Sequence, residues 1–224
     1  MIKQQLHDRY LSDFTRYLLK LDPAEGGRVP ALTELSKKLN ISVTSLREQM
    51  EAAREIGLVE ARPRTGIRRR PYEFLPAVRQ SVAYSLADEP ARFDAFADLR
   101  IHIEESYWYE AAALLNAEDH AHLQALVDAA NDRLNAKPPQ IPHDEHRELH
   151  LFIYRKLNNP FVQGLLEAYW DMYEAVGLNV YNDIAYHKKV WDYHRRIVLA
   201  IKNGNLQSGY KLLREHKLLL EQRA

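Results

Sequence analysis

Leu6, Tyr10, Phe14 and Leu18 fall four residues apart, a spacing that predicts an opening helix over 3–21. Asp22-Pro23 and Gly26-Gly27 then break the pattern. A shorter helix follows over about 31–39, its apolar side made by Leu32, Leu35 and Leu39. Asn40 supplies a tight turn, because its short polar side chain tolerates left-handed backbone. Ser42 reads as the N-cap of the next helix, with Ile41 and Leu46 as a hydrophobic staple around it. Leu46, Met50, Ala53 and Ile56 mark the buried stripe of that helix, and Gly57 ends it.

Beyond Gly57 the period changes. Residues 58–61 predict a strand, 62–66 the tip of a hairpin, and 67–70 the returning strand. From residue 78 helical spacing returns and persists, over about 78–88, 91–115, 118–136, 143–157, 160–177, 182–203 and 205–222. Pro138-Pro139 and Pro142 separate two of these helices, and Gly204 ends another. The pattern predicts a mainly α protein: an N-terminal winged helix-turn-helix with a small β-hairpin, then an antiparallel helical bundle. The expected boundaries are 1–71 for the first domain, 72–77 for a linker bracketed by Pro71 and Pro76, and 78–224 for the second.

Charge sharpens this division. The formal net charge is zero, which by itself argues against nucleic-acid binding. Residues 1–75, however, hold 14 Lys+Arg against 10 Asp+Glu, and residues 76–224 hold 17 against 21 together with nine of the ten histidines. Arg62, Arg64, Arg68, Arg69 and Arg70 lie on and beside the predicted hairpin. The two short helices alone would fit a generic helical hairpin with a solvated surface. Five arginines after a Gly-terminated helix fit phosphate neutralisation better, since on a neutral surface they only repel. A winged helix would place its second helix in the major groove and its hairpin along the phosphates.

Cysteine is absent, which excludes disulfides, thiol catalysis and thiolate metal sites. No apolar run approaches the roughly 20 residues of a membrane span, and the first residues lack the apolar core of a signal peptide. The expectation is a cytoplasmic protein with no membrane partner.

Histidine carries the candidate chemistry. His146 and His150 sit at i and i+4, one turn apart on one helix face. His194 lies ten residues before Gly204 and His216 twelve after it, roughly 15 and 18 Å from that turn at about 1.5 Å per residue. If the last two helices pair antiparallel, the two rings come side by side. Each feature alone also fits an ordinary surface pair or a polar core residue. Their coincidence predicts four imidazoles from three helices at one divalent ion, with zinc, nickel or copper favoured over magnesium or calcium by nitrogen ligation.

Two stretches resemble a known family. Gly27-Arg28-Val29-Pro30, Glu34 to Ser42, Leu46-Arg47-Glu48, Gly57-Leu58-Val59 and Arg64-Thr65-Gly66 resemble the DNA-binding domain of the GntR family of bacterial regulators. Thr33 and Val43 stand where that family usually has arginines. By resemblance Arg47 faces the operator, with Thr44 and Ser45 as neighbouring contacts, Gly66 as the wing tip, and Arg62, Arg64 and Arg68 along the backbone. The C-terminal part resembles the FadR-type ligand-binding domain, on Leu99-Arg100 with Glu104, Leu149-His150-Leu151, Asn159-Pro160, His194-Arg195-Arg196-Ile197 and Leu213-Arg214-Glu215-His216. Many members hold zinc or nickel through one aspartate and three histidines. The histidines correspond to His150, His194 and His216, and the aspartate to His146, with Asp144 and Glu145 as alternative donors.

The resemblance further implies that Arg100 pairs with the carboxylate of a small effector; an Arg100–Glu104 helix pair is the other reading. Tyr107 and Trp108 follow on the same helix, where either walls the effector pocket or simply packs. It implies a homodimer on double-stranded operator DNA, most simply a repressor, responsive to a small carboxylate metabolite. A metal sensor and a purely structural metal are the alternatives. A hydrolase is the remote one. His146-Arg147-Glu148-Leu149-His150 differs from the zinc-protease H-E-x-x-H by a glutamate one residue late, which turns it about 100° around the helix. The chain is therefore not expected to be an enzyme.

Overall fold

The computed structural model describes residues 6, 9–22, 26–63, 66–177 and 183–221. The chain divides into two compact units, 1–80 and 81–224. Arg64 and Thr65, at the predicted wing tip, lie outside the described residues, as do parts of the predicted opening helix and the start of the one predicted over 182–203.

In the first unit α1 spans Asp13–Leu18, with Ser12 as a β-region N-cap that accepts the amide of Thr15. The predicted helix over 3–21 is thus interrupted at Ser12. Leu6 and Tyr10 are exposed, whereas Phe14, Tyr17 and Leu18 are buried. Helical spacing alone does not reveal a cap inside the run. Strand β1 (Arg28–Val29) precedes α2 (Leu32–Leu39) and α3 (Val43–Glu55). Asn40 adopts φ 54 in the tight turn, and Ser42 caps α3 by accepting the Ser45 amide at 3.1 Å. Gly57 follows α3 at φ 78, and a Cβ there would sit 2.6 Å from Pro76, so both conformation and space require glycine.

Strands β2 (Val59–Arg62) and β3 (Gly66–Arg69) form the expected hairpin. The sequence reading missed β1, which adds a third, antiparallel strand in the order β1-β3-β2 and sets Arg28 across from Arg68. Two residues are too few to show an alternation. Phe14, Leu35, Leu46, Met50, Ala53 and Val59 share one small core.

Helix α4 (Leu75–Asp88) leads into the second unit, which contains α5 (Arg92–Ala113), α6 (Ala117–Asn135), α7 (His143–Tyr154), α8 (Pro160–Ala175), α9 (Ile184–Lys202) and α10 (Leu206–Glu221). Five of them close a ring: α5 packs on α10, α10 on α9, α9 on α6, α6 on α7, and α7 on α5. Helix α8 packs on α5 and α7. The caps are local and strong. Asn116 and Asp119 form a capping box at α6, Asn159 caps α8 ahead of Pro160, and Asp183 caps α9. One core runs through the ring, including Trp108, Leu123, Val127, Leu149, Trp191 and Ile197. Among the described residues no helix is long and apolar enough to cross a membrane.

Candidate metal centre and nucleic-acid surface

His146 and His150 project from α7, His194 from α9 and His216 from α10, and all four are buried. One nitrogen from each lies within 4.8 Å of the others. The antiparallel pairing of α9 and α10 about Gly204 brings His194 and His216 to 4.5 Å between ring centroids. Asp144 is exposed, and Glu145 is turned toward α6, where it accepts Arg133 Nε at 2.6 Å. Of the three residues the sequence left open, His146 is the one that joins the cluster.

The rings are walled by aromatics. Trp170 lies 4.8 Å from His146 and 5.3 Å from His150, and Trp191 lies 4.8 Å from His194. These two walls escaped the sequence reading, which looked to Tyr107 and Trp108 instead. Trp191 stands three residues before His194 and so shares its helix face, a usable signal. Tyr107 is half-buried, and its hydroxyl accepts Asn159 Nδ2 at 3.2 Å. Trp108 is fully buried and donates to the Leu206 carbonyl.

The electrostatics favour neutral imidazoles. Burial, then the neighbouring His216, His146 and His150, push the His194 imidazole well below its ordinary value. Burial also lowers His150, against the opposing pull of Glu104. Neutral imidazole is the form that donates a lone pair to a metal. His150 Nε2 and His194 Nε2 stand 3.2 Å apart, close to the ligand–ligand spacing of about 3.3 Å for zinc bound tetrahedrally at about 2.0–2.1 Å. His194 Nδ1 is buried with no hydrogen-bond partner. Donor type and spacing fit a divalent ion that prefers nitrogen ligands.

Arg100, on α5, is 4% exposed. Its Nε stands 3.0 Å from Glu104 Oε1 as an ion pair without hydrogen-bond alignment, and Nη2 lies 2.8 Å from His150 Nδ1. Its guanidinium also lies over Tyr169 and Trp170, at 4.9 and 5.5 Å from the ring centroids. Burial would raise the Glu104 carboxyl, but Arg100 and His150 outweigh it and hold the group below its usual range.

In the first unit the buried side of α3 is Leu46, Met50 and Ala53, leaving Thr44 and Arg47 exposed. Ser45 is partly covered, and its hydroxyl accepts Gln49 Nε2 at 3.3 Å. Arg62 is exposed beside Glu60 at 3.0 Å, and Gly66 opens β3 at φ 79. Arg68 is exposed, and its Nη1 donates to the Gly26 carbonyl at 3.0 Å. Arg28 adds a further exposed cation to this face through its pairing with Arg68. Arg69 is tied back to the Leu21 carbonyl.

Comparisons agree with both halves. The FCD domain family matches residues 95–218. A protein described as an uncharacterized HTH-type transcriptional regulator, YcbG of Bacillus subtilis, is 25% identical over 172 residues, covering 75% of this chain and 70% of that protein. A Streptococcus agalactiae GntR structure superposes with a TM-score of 0.66 at 18% identity, covering 88% of this chain and 90% of that one. An E. coli structure, McbR/YncC, gives 0.51 at 17% identity, covering 86% and 87%. The chain belongs to the FCD-domain family, and its FCD domain follows a winged helix-turn-helix as in the GntR-family transcriptional regulators.

Proposed function

We propose that the protein is a DNA-binding repressor whose operator affinity is set at a metal-containing pocket of the helical bundle, where a small carboxylate effector is received. It acts as a homodimer, each winged unit taking one half-site of a short pseudo-palindrome. The observation that carries the reading is the meeting of four buried imidazoles in a chain whose other unit exposes Arg28, Arg47, Arg62 and Arg68.

His146, His150, His194 and His216 would hold the ion. Bound there, it supplies a Lewis-acidic positive charge that four neutral ligands leave undiminished, which favours an anionic effector. The effector regulates only if it binds one arrangement of the dimer more tightly than the other. On the DNA side Arg47, with Thr44 and Ser45, reads bases, while Arg62, Arg64, Arg68 and Gly66 follow the backbone.

One observation favours a second reading. Arg100 is buried and already paired with Glu104, so a carboxylate effector would have to compete with an internal carboxylate. A regulator that responds to the ion itself needs no such exchange.

The test is operator binding by fluorescence anisotropy, with metal-free protein, with zinc or nickel, and with metal plus a panel of small carboxylates. Affinity changed by metal plus acid supports the first reading, and affinity changed by metal alone supports the second. Operator affinity indifferent to every addition would leave only a structural metal.

A further inference from the structure

A neutral imidazole has one N–H and one lone pair, so fixing one nitrogen fixes the other. His150 Nε2 faces His194 Nε2 inside the cluster at 3.2 Å. Its Nδ1 faces outward to two groups of opposite kind. Glu104 Oε1 lies at 3.2 Å and Arg100 Nη2 at 2.8 Å. An ionised carboxylate only accepts and a guanidinium only donates, so Nδ1 can satisfy one of them and not both.

The surroundings hold both candidates in place. Glu104 is 2% exposed, and Tyr154 Oη donates to its backbone carbonyl at 3.0 Å. Arg100 Nε stands 3.0 Å from the same carboxylate oxygen. An ion at the cluster breaks the tie. It requires the lone pair of His150 on Nε2, which places the proton on Nδ1, and the acceptor within reach of Nδ1 is Glu104.

We infer that Glu104 is the positioning residue of the centre: it accepts the Nδ1 proton of His150 and so turns the Nε2 lone pair toward the ion. This rests on the reading that the four histidines hold a divalent metal. Arg100 then serves Glu104 through the ion pair and not His150, because its Nη2 cannot donate to a nitrogen that bears a proton. An outer carboxylate of this kind fixes the tautomer of a ligating histidine and raises its basicity, and its loss typically weakens metal binding about ten- to hundredfold.

The experiment uses full-length protein labelled with 15N-histidine, as parent, as Glu104→Gln, and as Arg100→Met with Glu104→Gln. The double variant removes both charges and so leaves no buried ion unpaired if the single variant folds poorly. Zinc affinity is read by competition with a chromophoric chelator, and tautomers by long-range 1H–15N spectra with and without zinc. The expected result is a zinc-loaded parent with His150 protonated at Nδ1, and about ten- to hundredfold weaker zinc binding in both variants. A loaded His150 protonated at Nε2, or variants that bind zinc within about twofold of the parent, would overturn the role of Glu104 while leaving the metal reading intact. A parent that takes up neither zinc nor nickel would overturn the metal reading and Glu104's role with it.

Discussion

His150 Nε2 and His194 Nε2 meet at 3.2 Å across the interior of the bundle, and neither ring reaches water. Two lone pairs do not face each other at that distance without a proton or a cation between them. In the metal-free protein a proton serves, and His194 Nδ1 is left buried and unsatisfied. Such a group costs about 1–3 kcal/mol.

His194→Leu removes both the ligand and the orphaned nitrogen. The expected outcome is loss of tight zinc or nickel binding, with the metal-free protein unfolding at a temperature no lower than the parent's in chelator. A variant that melts far below the metal-free parent would show that His194 makes favourable contacts in the absence of metal.

The depressed histidines set a pH dependence whose sign can be worked out. The unfolded chain protonates each imidazole near the ordinary value of 6.5, while His194 and His150 in the folded protein resist protonation. Below that pH the unfolded state binds more protons, so stability falls as pH falls from about 6.5 toward the depressed folded values. Each such group contributes at most about 1.4 kcal/mol per pH unit. Melting temperatures of metal-free protein should decline between pH 7 and pH 5, and His194→Leu should flatten the decline. Zinc affinity should fall over the same range, since protons compete for the lone pairs.

Asp119 marks a different window. Its carboxylate accepts the Asn116 amide at 2.7 Å and pairs with Arg155 at 2.5 Å and with Lys156, so it is held below the usual carboxylate range. Its contribution is present above about pH 4 and lost as pH falls further. Asp119→Ala removes half of a capping box and should cost about 1–2 kcal/mol, measurable as a lower urea midpoint with metal affinity unchanged.

Gly209, on α10, has no room for a side chain. A Cβ there would lie 2.5 Å from Trp108 Cζ2, and Trp108 is pinned because its Nε1 donates to the Leu206 carbonyl at 2.9 Å. Gly209→Ala should destabilise the second unit by about 1–3 kcal/mol through overpacking. A variant of unchanged melting temperature would mean that the indole ring yields.

On the proposed DNA surface, Arg47→Ala should reduce the affinity ratio between operator and random DNA, and Arg62→Ala should weaken both about equally. Competition binding against nonspecific duplex distinguishes the two. An unchanged ratio for Arg47→Ala would remove α3 from the role of reading bases.

The parts legible in the sequence are those governed by local periodicity. The i, i+4 pair His146 and His150 is fixed by helical geometry, and the match of His194 with His216 follows from two helices folded at one glycine turn. Ser42 and Gly57 speak through backbone chemistry that operates within a few residues. What local periodicity does not carry is the company each residue keeps. Arg100 was readable as a ligand for an effector or as a partner of Glu104, and only the packing of α5 against α7 brings that pair onto His150. Trp170 comes from the next helix, α8, and meets His146 and His150 only through the packing of α8 on α7. Ser12 hides a helix start inside an unbroken apolar rhythm, in which Leu6 and Tyr10 are exposed while Phe14 and Leu18 are buried.

The register that sets Arg28 directly across from Arg68 carries a thermodynamic consequence. Like charges held opposite each other on adjacent strands repel, and the free protein bears that repulsion. Dissolved salt relieves it by screening, so higher ionic strength should raise the melting temperature of the winged unit. The same salt would weaken the proposed phosphate contacts, because each counterion released into a concentrated bulk gains less entropy. One variable would thus act with opposite sign on the free protein and on its proposed DNA complex, in which a polyanion takes over from salt the neutralising of the two facing arginines.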